Sequence, residues 1–206
     1  HMQNYSGDEQ KNINIQGMQN MKMRTEENPK ISILLCVYKP ADETEFRQAV
    51  CSMIRQTFRD WEMLLYDDGS EGRYQQIIRK TAAMDLRIRY IRGNENRGLS
   101  HGLNACLKQA RGQYIARMDA DDISHPKRLE KLYDFLQKHK EYQWAGSNTL
   151  LFDEKGTYGK REMPKIPKSA DFLKYSPYIH PAVMFRKSIL LKTGGYKMLH
   201  RGEDYE

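Results

Sequence analysis

The sequence has few cysteines and no long apolar run. Its 206 residues include three cysteines, Cys36, Cys51 and Cys106, and none of them forms a Cys-x-x-Cys pair. Each lies within an apolar pattern, so buried reduced thiols explain them better than a disulfide framework or a metal site. The longest apolar stretch, ISILLCVY, is far shorter than the roughly 20 residues that a membrane-spanning helix needs. The sequence therefore predicts a cytoplasmic protein with neither a signal peptide nor a membrane span.

Acidic residues are fewer than basic ones. The chain has 34 Lys and Arg against 27 Asp and Glu, which gives a formal net charge of +7. This excess fits partners that carry phosphate, namely a nucleotide, an anionic lipid or a nucleic acid. Basic residues can also hold a protein without a membrane span against anionic lipid. A peripheral contact at the inner face of the plasma membrane is therefore compatible with this composition.

The first 29 residues differ in composition from the rest. They contain many Gln, Asn, Glu and Lys residues and few apolar ones, and His1-Met2 is typical of an expression-tag remnant. This composition predicts a flexible arm over residues 1–29. The length of the remainder predicts one domain over residues 30–206.

Two kinds of apolar segment alternate between residues 31 and 139. ISILLCVY, WEMLLYDD, IRYIR and YIARM are short and mostly apolar, as buried strands are. Apolar residues recur at helical spacing after each of them, for example Phe46, Ala49, Val50 and Met53, and the last helix is predicted over 126–139. This alternation predicts an α/β domain with a mostly parallel central sheet flanked by helices.

The alternation ends after Tyr142. WAGSNTLLFDEKGTYGKREM predicts two strands around an Asp-Glu-Lys-Gly turn. A loop with three prolines, a short strand AVMF and a short helix that ends at Gly194-Gly195 follow. We therefore expect a regular α/β half and a less regular second half.

Polar residues follow each of the four predicted parallel strands. Tyr38 and Lys39 follow the first strand, DDGS the second, GNENRGLS the third and DADD the fourth. In a parallel α/β sheet, ligands bind beyond the carboxyl ends of the strands. We therefore expect the functional site at this edge, although the acids in DDGS and DADD have the wrong charge to bind phosphate directly.

The spacing of the acids in DADD indicates a metal site. Residues i and i+2 of an extended backbone point to the same side, so Asp119 and Asp121 can converge. Carboxylates this close repel each other unless a cation lies between them, and Mg²⁺-like ions take one or two carboxylates plus substrate phosphate oxygens. The alternative is structural: Asp122 or Ser124 caps the helix that begins near Pro126, and we expect that role for Ser124.

DDGS and NRGLSHGLN allow two explanations each. Asp-Gly is an ordinary turn, although a carboxylate at a strand end can also accept a hydrogen bond from a base N–H or a ribose hydroxyl. Gly98 and Gly102 lie around a helix start, where backbone N–H groups can face an anion. A plain helix entry explains these glycines equally well, so neither segment is decisive alone.

Five blocks occur in a characteristic order. They are ISILLCVYK, DDGS, NRGLSHGLNACLKQARGQYIARMDADDISHPKRL, HPAVMFRKSILLKTGGY and GEDYE, from about Ile31 to the last residue. In this order they closely resemble the family 2 glycosyltransferases, inverting enzymes of the GT-A fold that use nucleotide sugars. The resemblance implies a Rossmann-like nucleotide-diphospho-sugar transferase fold over residues 30–206. It also implies that the chain is truncated after Glu206, because relatives usually continue with a helix and further segments.

The resemblance implies roles for individual residues. Those expected to contact the nucleotide sugar are Tyr38, Asp67, Asp68, Asn96, Gly98, Asp119 and His180. Within this set, Asp68 is expected against the base and Asp119 near the ribose and donor sugar. Asp121, together with Asp119, is expected on a divalent metal, Mn²⁺ or Mg²⁺. Asp204 matches the general base, with Glu203 beside it. For His180, a loop histidine bonded to backbone is the alternative.

The implied reaction is a metal-dependent, inverting hexosyl transfer from a UDP-sugar to an acceptor hydroxyl. The acceptor class implied is a saccharide or lipid-linked saccharide of cell-surface polysaccharide synthesis, with no nucleic acid as partner. A sugar-phosphate nucleotidyltransferase is one alternative, but it needs a Gly-rich phosphate loop where this chain has VYKPADE. A basic module that binds nucleic acid or anionic lipid is the other, with KHKEYQW as its best candidate patch.

Overall fold

The computed structural model describes residues 28–174 and 176–197. Its first half alternates strands and helices in this order: β1 Ile31–Val37, α1 Glu43–Ile54, β2 Trp61–Asp67, α2 Gly72–Ala82, β3 Ile88–Arg92, α3 Leu99–Gln109, β4 Tyr114–Arg117 and α4 Arg128–Lys138. The second half contains β5 Trp144–Gly146, β6 Thr149–Asp153, β7 Gly156–Arg161, α5 Ser169–Phe172, a 3₁₀ turn His180–Ala182, β8 Val183–Arg186 and α6 Lys187–Lys192.

The main sheet has the strand order β3-β2-β1-β4-β8-β5 within the described ranges. The first four strands in this order are mutually parallel, whereas β8 runs antiparallel to both β4 and β5. The mostly parallel sheet predicted from the sequence is therefore confirmed. The chain moves outward from β1 through β2 to β3 and then returns to the other side of β1 with β4. This reversal makes the carboxyl ends of β1 and β4 the switch point of the sheet, where ligands of such folds bind.

Two apolar layers cover the sheet, one on each face. The layer on one face contains side chains of α1, α2 and α4, including Phe46, Ile78 and Leu129. The layer on the other face contains side chains of α3 and α6, including Leu103 and Leu190. Because helices cover both faces, β1 and β2 are buried along nearly their whole length, which explains their continuously apolar sequences.

The second half corrects the sequence-based expectation. WAGSNTLLFDEKGTYGKREM forms three strands rather than two, because β5 separates from the hairpin and pairs with β8 in the main sheet. Strands β6 and β7 pair only with each other among the described residues, around the expected turn. The short strand and helix after the prolines are confirmed as β8 and α6, while α5 was not predicted.

The side chain of Glu62 joins several strands at the end of the sheet opposite the switch point. Its buried carboxylate on β2 accepts a hydrogen bond from Ser32 on β1, at 2.8 Å, and from the backbone N–H of Arg111, at 2.7 Å. The guanidinium groups of Arg89 and Arg111 form ion pairs with the same carboxylate. One acid therefore connects β1, β2, β3 and the loop that leads into β4.

The helices of the described ranges are all too short or too polar to cross a lipid bilayer.

Candidate functional site

Carboxylates converge where β4 ends, beside the end of β1. Asp119, Asp121 and Asp122 each bring one carboxylate oxygen within 4.8 Å of the others. Asp119 is half-buried, whereas Asp121 and Asp122 are exposed. The convergence of Asp119 and Asp121 expected from their alternate spacing is thus present, and Asp122 joins them. We call Asp119, Asp121 and Asp122 the acid cluster.

The acid cluster rests on a buried cation. Arg117 is the last residue of β4, its side chain is 2% exposed, and its Nη1 forms an ion pair with the carboxylate of Asp119. Asp121 differs, because its carboxylate has no hydrogen bond or ion pair with the described residues. Although Asp122 is exposed at its surface, desolvation by neighbouring protein atoms, followed by the charges of Asp119 and Asp121, raises the pKa of its carboxyl. The cluster therefore carries mutual repulsion that Arg117 offsets only in part.

Asp67, the last residue of β2, and Asp68, which follows it, are both buried, but their carboxylates accept hydrogen bonds from different residues. The carboxylate of Asp67 accepts hydrogen bonds from the backbone N–H of Ser70 and from the hydroxyl of Tyr90, both at 2.8 Å. The carboxylate of Asp68 accepts from the backbone N–H groups of Arg97, at 3.0 Å, and Gly98, at 2.8 Å. Asp67 thus closes its own turn, whereas Asp68 reaches across to the entry of α3.

Two glycines allow the loops after β2 and β3 to meet. A Cβ on Gly69, whose φ is +79°, would lie 2.5–2.8 Å from backbone atoms of Glu95 and Asn96. Gly98 precedes α3 with φ of +87°, and the side chain of Asn96 also accepts from its N–H, at 3.2 Å. Asn96, Gly98 and Asp68, three of the predicted nucleotide contacts, are therefore brought together at the start of α3.

Acids from both acidic loops act on the thiol of Cys36. It lies near the end of β1 on the face covered by α3, where a Cβ on Gly102 would come within 2.3 Å of its Sγ. Burial and the nearby Asp68 raise the pKa of the Cys36 thiol to about 12, with a smaller contribution from Asp119. Asp68 follows β2 and Asp119 follows β4, and both strands pair with β1, so the two acids lie at the carboxyl ends of the strands on either side of β1.

Side chains at the C-terminal end of α1 and just after it hold the loop that follows the acid cluster. The amide Nε2 of Gln56, which is fully buried, donates to the carbonyl of His125 at 2.8 Å, and its Oε1 accepts from the N–H of Leu129 at 3.0 Å. Ser52 accepts from the N–H of Ser124 at 2.9 Å. A groove of about 690 Å³ lies beside this contact, and Cys51 and Ile123 are among its lining residues.

The capping role expected for Ser124 is wrong. Helix α4 begins at Arg128, and its N-cap residue is Lys127, which among the described residues makes no side-chain capping bond. Ser124 instead lies three positions earlier, where its backbone N–H and hydroxyl contact Ser52 and Gln56. The local spacing resembled a cap, but the contacts that fix this segment come from α1 and the residues just after it, about 70 residues upstream.

Arg128 connects the acid cluster to the region of His180. Its guanidinium donates to the carbonyl of Arg117 at 2.7 Å and to the carbonyl of Pro181 at 2.8 Å. Burial lowers the pKa of Arg128 to about 10, although the charge of Asp122 acts in the opposite direction. The guanidinium thus fixes the end of β4 relative to the 3₁₀ turn that carries His180.

Tyr38 and His180 lie in different surroundings. Tyr38 follows β1, is 41% exposed, and has the Nζ of Lys39 over its ring at 4.9 Å. His180 is 7% exposed, and its ring lies 6.4 Å from that of Tyr178 and 5.8 Å from that of Tyr196, centre to centre. These three residues also line a cavity of about 490 Å³. Tyr38 is therefore accessible at the switch point, whereas His180 belongs to an aromatic pocket.

Asp204 and Glu203, the expected general base and its neighbour, lie outside the described residues. Three other residues that support the site, Arg117, Gln56 and Arg128, were not among the predicted site residues. A signal existed for Arg117, because it is a single cation inside the apolar strand YIARM. Gln56, just after α1, and Arg128, the first residue of α4, gave no comparable signal in the sequence.

Comparison with known proteins gives one family. The model of "Glycosyl transferase family 2" matches residues 32–202. EpsE of Bacillus subtilis (strain 168), which carries a provisional glycosyltransferase name, is 37% identical over 174 residues, covering 84% of this chain and 62% of that protein. An Escherichia coli UDP-Gal:alpha-D-GlcNAc-diphosphoundecaprenol beta-1,3-galactosyltransferase is 29% identical over 185 residues, covering 88% of this chain and 67% of that protein. The chain thus spans about two thirds or less of these relatives.

Solved structures agree on the fold. The mannosyltransferase PcManGT from Pyrobaculum calidifontis, in complex with GDP-Man and Mn²⁺, superposes with a TM-score of 0.64 at 14% identity, covering 93% of this chain and 57% of that one. S. aureus TarS 1-349 in complex with UDP-GlcNAc gives 0.63 at 19% identity, covering 85% and 51%. The fold is therefore the GT-A fold, as the sequence resemblance implied.

Proposed function

The chain belongs to glycosyl transferase family 2, and from this premise we propose that it transfers a hexose from a nucleotide diphosphate sugar to an acceptor hydroxyl with inversion. UDP is the proposed nucleotide, which the names of the E. coli relative and of the TarS complex support. A saccharide on a lipid carrier is the proposed acceptor, supported by the name of the same relative. Such an acceptor would bring the enzyme to the cytoplasmic face of the membrane.

The observation that carries this proposal is the position of the acid cluster. Three carboxylates lie within 4.8 Å of one another at the switch point of the sheet. Asp68 follows β2, which pairs with β1 as β4 does, and its carboxylate fixes the entry of α3. A nucleotide in this cleft would have Tyr38, Asn96 and Gly98 along its base and ribose, as the resemblance implies. A basic binding module offers no account of this arrangement, and a nucleotidyltransferase would need a Gly-rich phosphate loop where this chain has VYKPADE.

The acid cluster fits a divalent cation. Its donors are carboxylate oxygens, the ligands that Mg²⁺ and Mn²⁺ prefer. Desolvation, and then repulsion from Asp119 and Asp121, raises the pKa of Asp122. We assign the cation to Asp121, with Asp119 as the second ligand. When bound, it would supply positive charge to the leaving diphosphate. The neighbouring mannosyltransferase structure contains Mn²⁺, which supports this assignment.

The chain's own residues have three tasks in the proposed reaction. Asp119 would accept hydrogen bonds from the ribose or donor sugar, and Asp68 would hold the α3 entry against the base. Asp204 would accept the proton of the acceptor hydroxyl as that oxygen attacks the anomeric carbon, a general-base role. A single displacement from the face opposite the leaving group inverts the anomeric configuration.

Thermal shift with nucleotide sugars tests the proposal. The 206-residue chain is melted with a panel of UDP-, GDP- and dTDP-sugars, each with and without Mn²⁺. We expect one donor to raise the melting temperature, and Mn²⁺ to increase this shift, because a ligand that binds only the folded state stabilises it. A folded sample that responds to no donor would contradict the proposal. Retention of anomeric configuration in a product would contradict inversion alone.

A further inference from the structure

Arg117 is a buried guanidinium at a position where neighbouring strand residues are apolar. It pairs in register with Leu34 of β1, and the preceding residue on its side of the sheet, Ile115, belongs to the apolar layer under α3. Its side chain is only 2% exposed. Burying a cation in such a layer is costly unless the cation is paired, so this position requires an explanation beyond strand formation.

The pairing of Arg117 is incomplete and points to one acid. Its Nη1 forms the ion pair with Asp119, but both Nε and Nη1 are buried without a hydrogen-bond partner among the described residues. The backbone of Arg117 is fixed independently, because Arg128 donates to its carbonyl at 2.7 Å. Within the acid cluster, the guanidinium forms an ion pair with Asp119 alone.

We infer that Arg117 is a positioning residue that divides the roles of the two acids in DADD. It holds Asp119 as an ionised, oriented hydrogen-bond acceptor for the ribose or donor sugar, and it leaves Asp121 as the principal ligand of the divalent cation. This inference rests on the proposed function, because it assumes that a nucleotide sugar and a cation meet at the acid cluster.

Removing the charge of Arg117 should therefore change two affinities in opposite directions. The acid cluster becomes more negative by one charge, so the affinity for a divalent cation alone should rise, on the order of 5-fold for charges about 7 Å apart in a water-like dielectric. Asp119 loses its ion pair with Arg117, so the hydrogen bond that it accepts from the ribose or donor sugar is no longer oriented. The affinity for the nucleotide at saturating cation should therefore fall by roughly 10-fold, the effect of losing one charge-assisted hydrogen bond. A general loss of structure would weaken both.

The experiment measures these two affinities separately on the 206-residue chain. Titration calorimetry with MnCl₂ alone gives the cation affinity, and titration with UDP at saturating Mn²⁺ gives the nucleotide affinity, with GDP as the second probe. For Arg117→Met we expect tighter Mn²⁺ binding and weaker nucleotide binding. For Arg117→Lys, which keeps the charge but not the planar fork, we expect unchanged Mn²⁺ binding and weaker nucleotide binding. If Arg117→Met does not fold, the Mn²⁺ and nucleotide affinities of Arg117→Lys alone test the inference.

Arg186→Met is the matched control. Arg186 is half-buried, its guanidinium donates to backbone carbonyls, and its Nη1 donates to the hydroxyl of Tyr114 at the opposite end of β4. This variant should lower the unfolding midpoint and leave both affinities unchanged. In an Asp119→Asn background, Arg117→Met should no longer change the nucleotide affinity, because the carboxylate that it positions is absent.

The outcomes separate this inference from the proposed function. Binding of Mn²⁺ and nucleotide by the wild type, with both affinities unchanged or both weakened in Arg117→Met, would overturn the inference alone. Unchanged nucleotide affinity in Arg117→Lys would also overturn it. A folded wild-type chain that binds neither UDP nor GDP, with or without Mn²⁺, would overturn the proposed function and this inference with it.

Discussion

The carboxylate of Asp68, at the end of β2, accepts a hydrogen bond from the backbone N–H of Gly98 at 2.8 Å, and Gly98 is the residue from which α3 starts. The N–H of Arg97 donates to the same carboxylate at 3.0 Å. A negative charge at the first turn of a helix is favourable, because backbone N–H groups there lack intrahelical partners. Asp68 therefore caps α3 from another loop, while α3 itself offers no side-chain cap at Gly98 in the described structure.

Replacing Asp68 should affect both the fold and the nucleotide affinity. Asp68→Ala removes two charge-assisted hydrogen bonds to the backbone at the entry of α3, so we expect the free energy of unfolding to fall by roughly 2–3 kcal/mol. The displaced α3 entry should also weaken binding of UDP. Urea unfolding and calorimetry measure the two effects.

Asp85→Ala serves as the control for Asp68→Ala. Asp85 bonds to the backbone and guanidinium of Arg87, but it lies before β3, at the opposite edge of the sheet. Its loss should lower stability without changing nucleotide affinity. Equal weakening of UDP binding in both variants would show that the effect of Asp68 is not local.

Alanine variants of Gly69 and Gly72 distinguish backbone strain from steric contact. Both have positive φ, so alanine at either position should cost roughly 1–2 kcal/mol in strain. A Cβ at Gly69 also collides with the backbone of Glu95 and Asn96, whereas nothing lies within 4 Å of a Cβ at Gly72. We therefore expect Gly69→Ala to lose clearly more stability and to weaken UDP binding, and Gly72→Ala to retain it. Similar losses in the two variants would contradict the loop contact.

Asp121 and Asp122 should differ in their effect on the cation. Asp121→Ala should abolish the Mn²⁺-dependent part of nucleotide binding and leave the melting temperature of the free protein within a few degrees, because the side chain is exposed and bonds to no described residue. Asp122→Asn should be milder than Asp121→Asn. Mn²⁺ titration of the three variants measures this order, and a stronger effect at Asp122 would reverse the assignment.

Glu62 should make stability depend on pH. Burial acts to raise the pKa of this carboxyl, but hydrogen bonds from Arg111, Ser32 and Arg89 outweigh it, and the folded pKa is lowered. A lowered folded pKa contributes stability above the unfolded value, and the contribution is lost as pH falls through the folded pKa.

Glu62→Gln should therefore be less stable than wild type at pH 7, by about 3 kcal/mol if it behaves as a broken buried ion pair. The difference should narrow only below about pH 4.5, near the ordinary pKa of glutamate. Urea unfolding of both proteins between pH 3 and 7 measures this. A difference that stays constant across the range would mean that packing, not charge, is responsible.

Local patterns predicted the first half of the fold well. The strands and helices from β1 to α4 have their own apolar periodicity, so each segment could be identified without its partners. Strand β5 could not, because it has three residues and is defined by its pairing with β8 about 40 residues later. The same limit explains Ser124, whose partners are Ser52 on α1 and Gln56 just after it.

The candidate site was predictable to the extent that it follows strand ends. Asp68, Asp119 and Asp121 were expected at one edge of a parallel sheet, and the structure places Asp68 and Asp119 at the carboxyl ends of the two strands that pair with β1. The support beneath them was not predicted. Arg117 and Arg128 act through a buried ion pair and backbone carbonyls, and such contacts depend on three-dimensional proximity rather than on sequence spacing.

The groove beside α1 has a practical consequence for chemical labelling. Burial raises the pKa of the Cys36 and Cys106 thiols, and since the thiolate is the reactive form, both should react slowly with maleimides. Cys51 instead lines the groove together with Ile123, the residue that follows the acid cluster. The protein therefore offers an attachment point for an environment-sensitive fluorophore close to the acid cluster, and the emission of this fluorophore would report ligand binding there without an introduced cysteine.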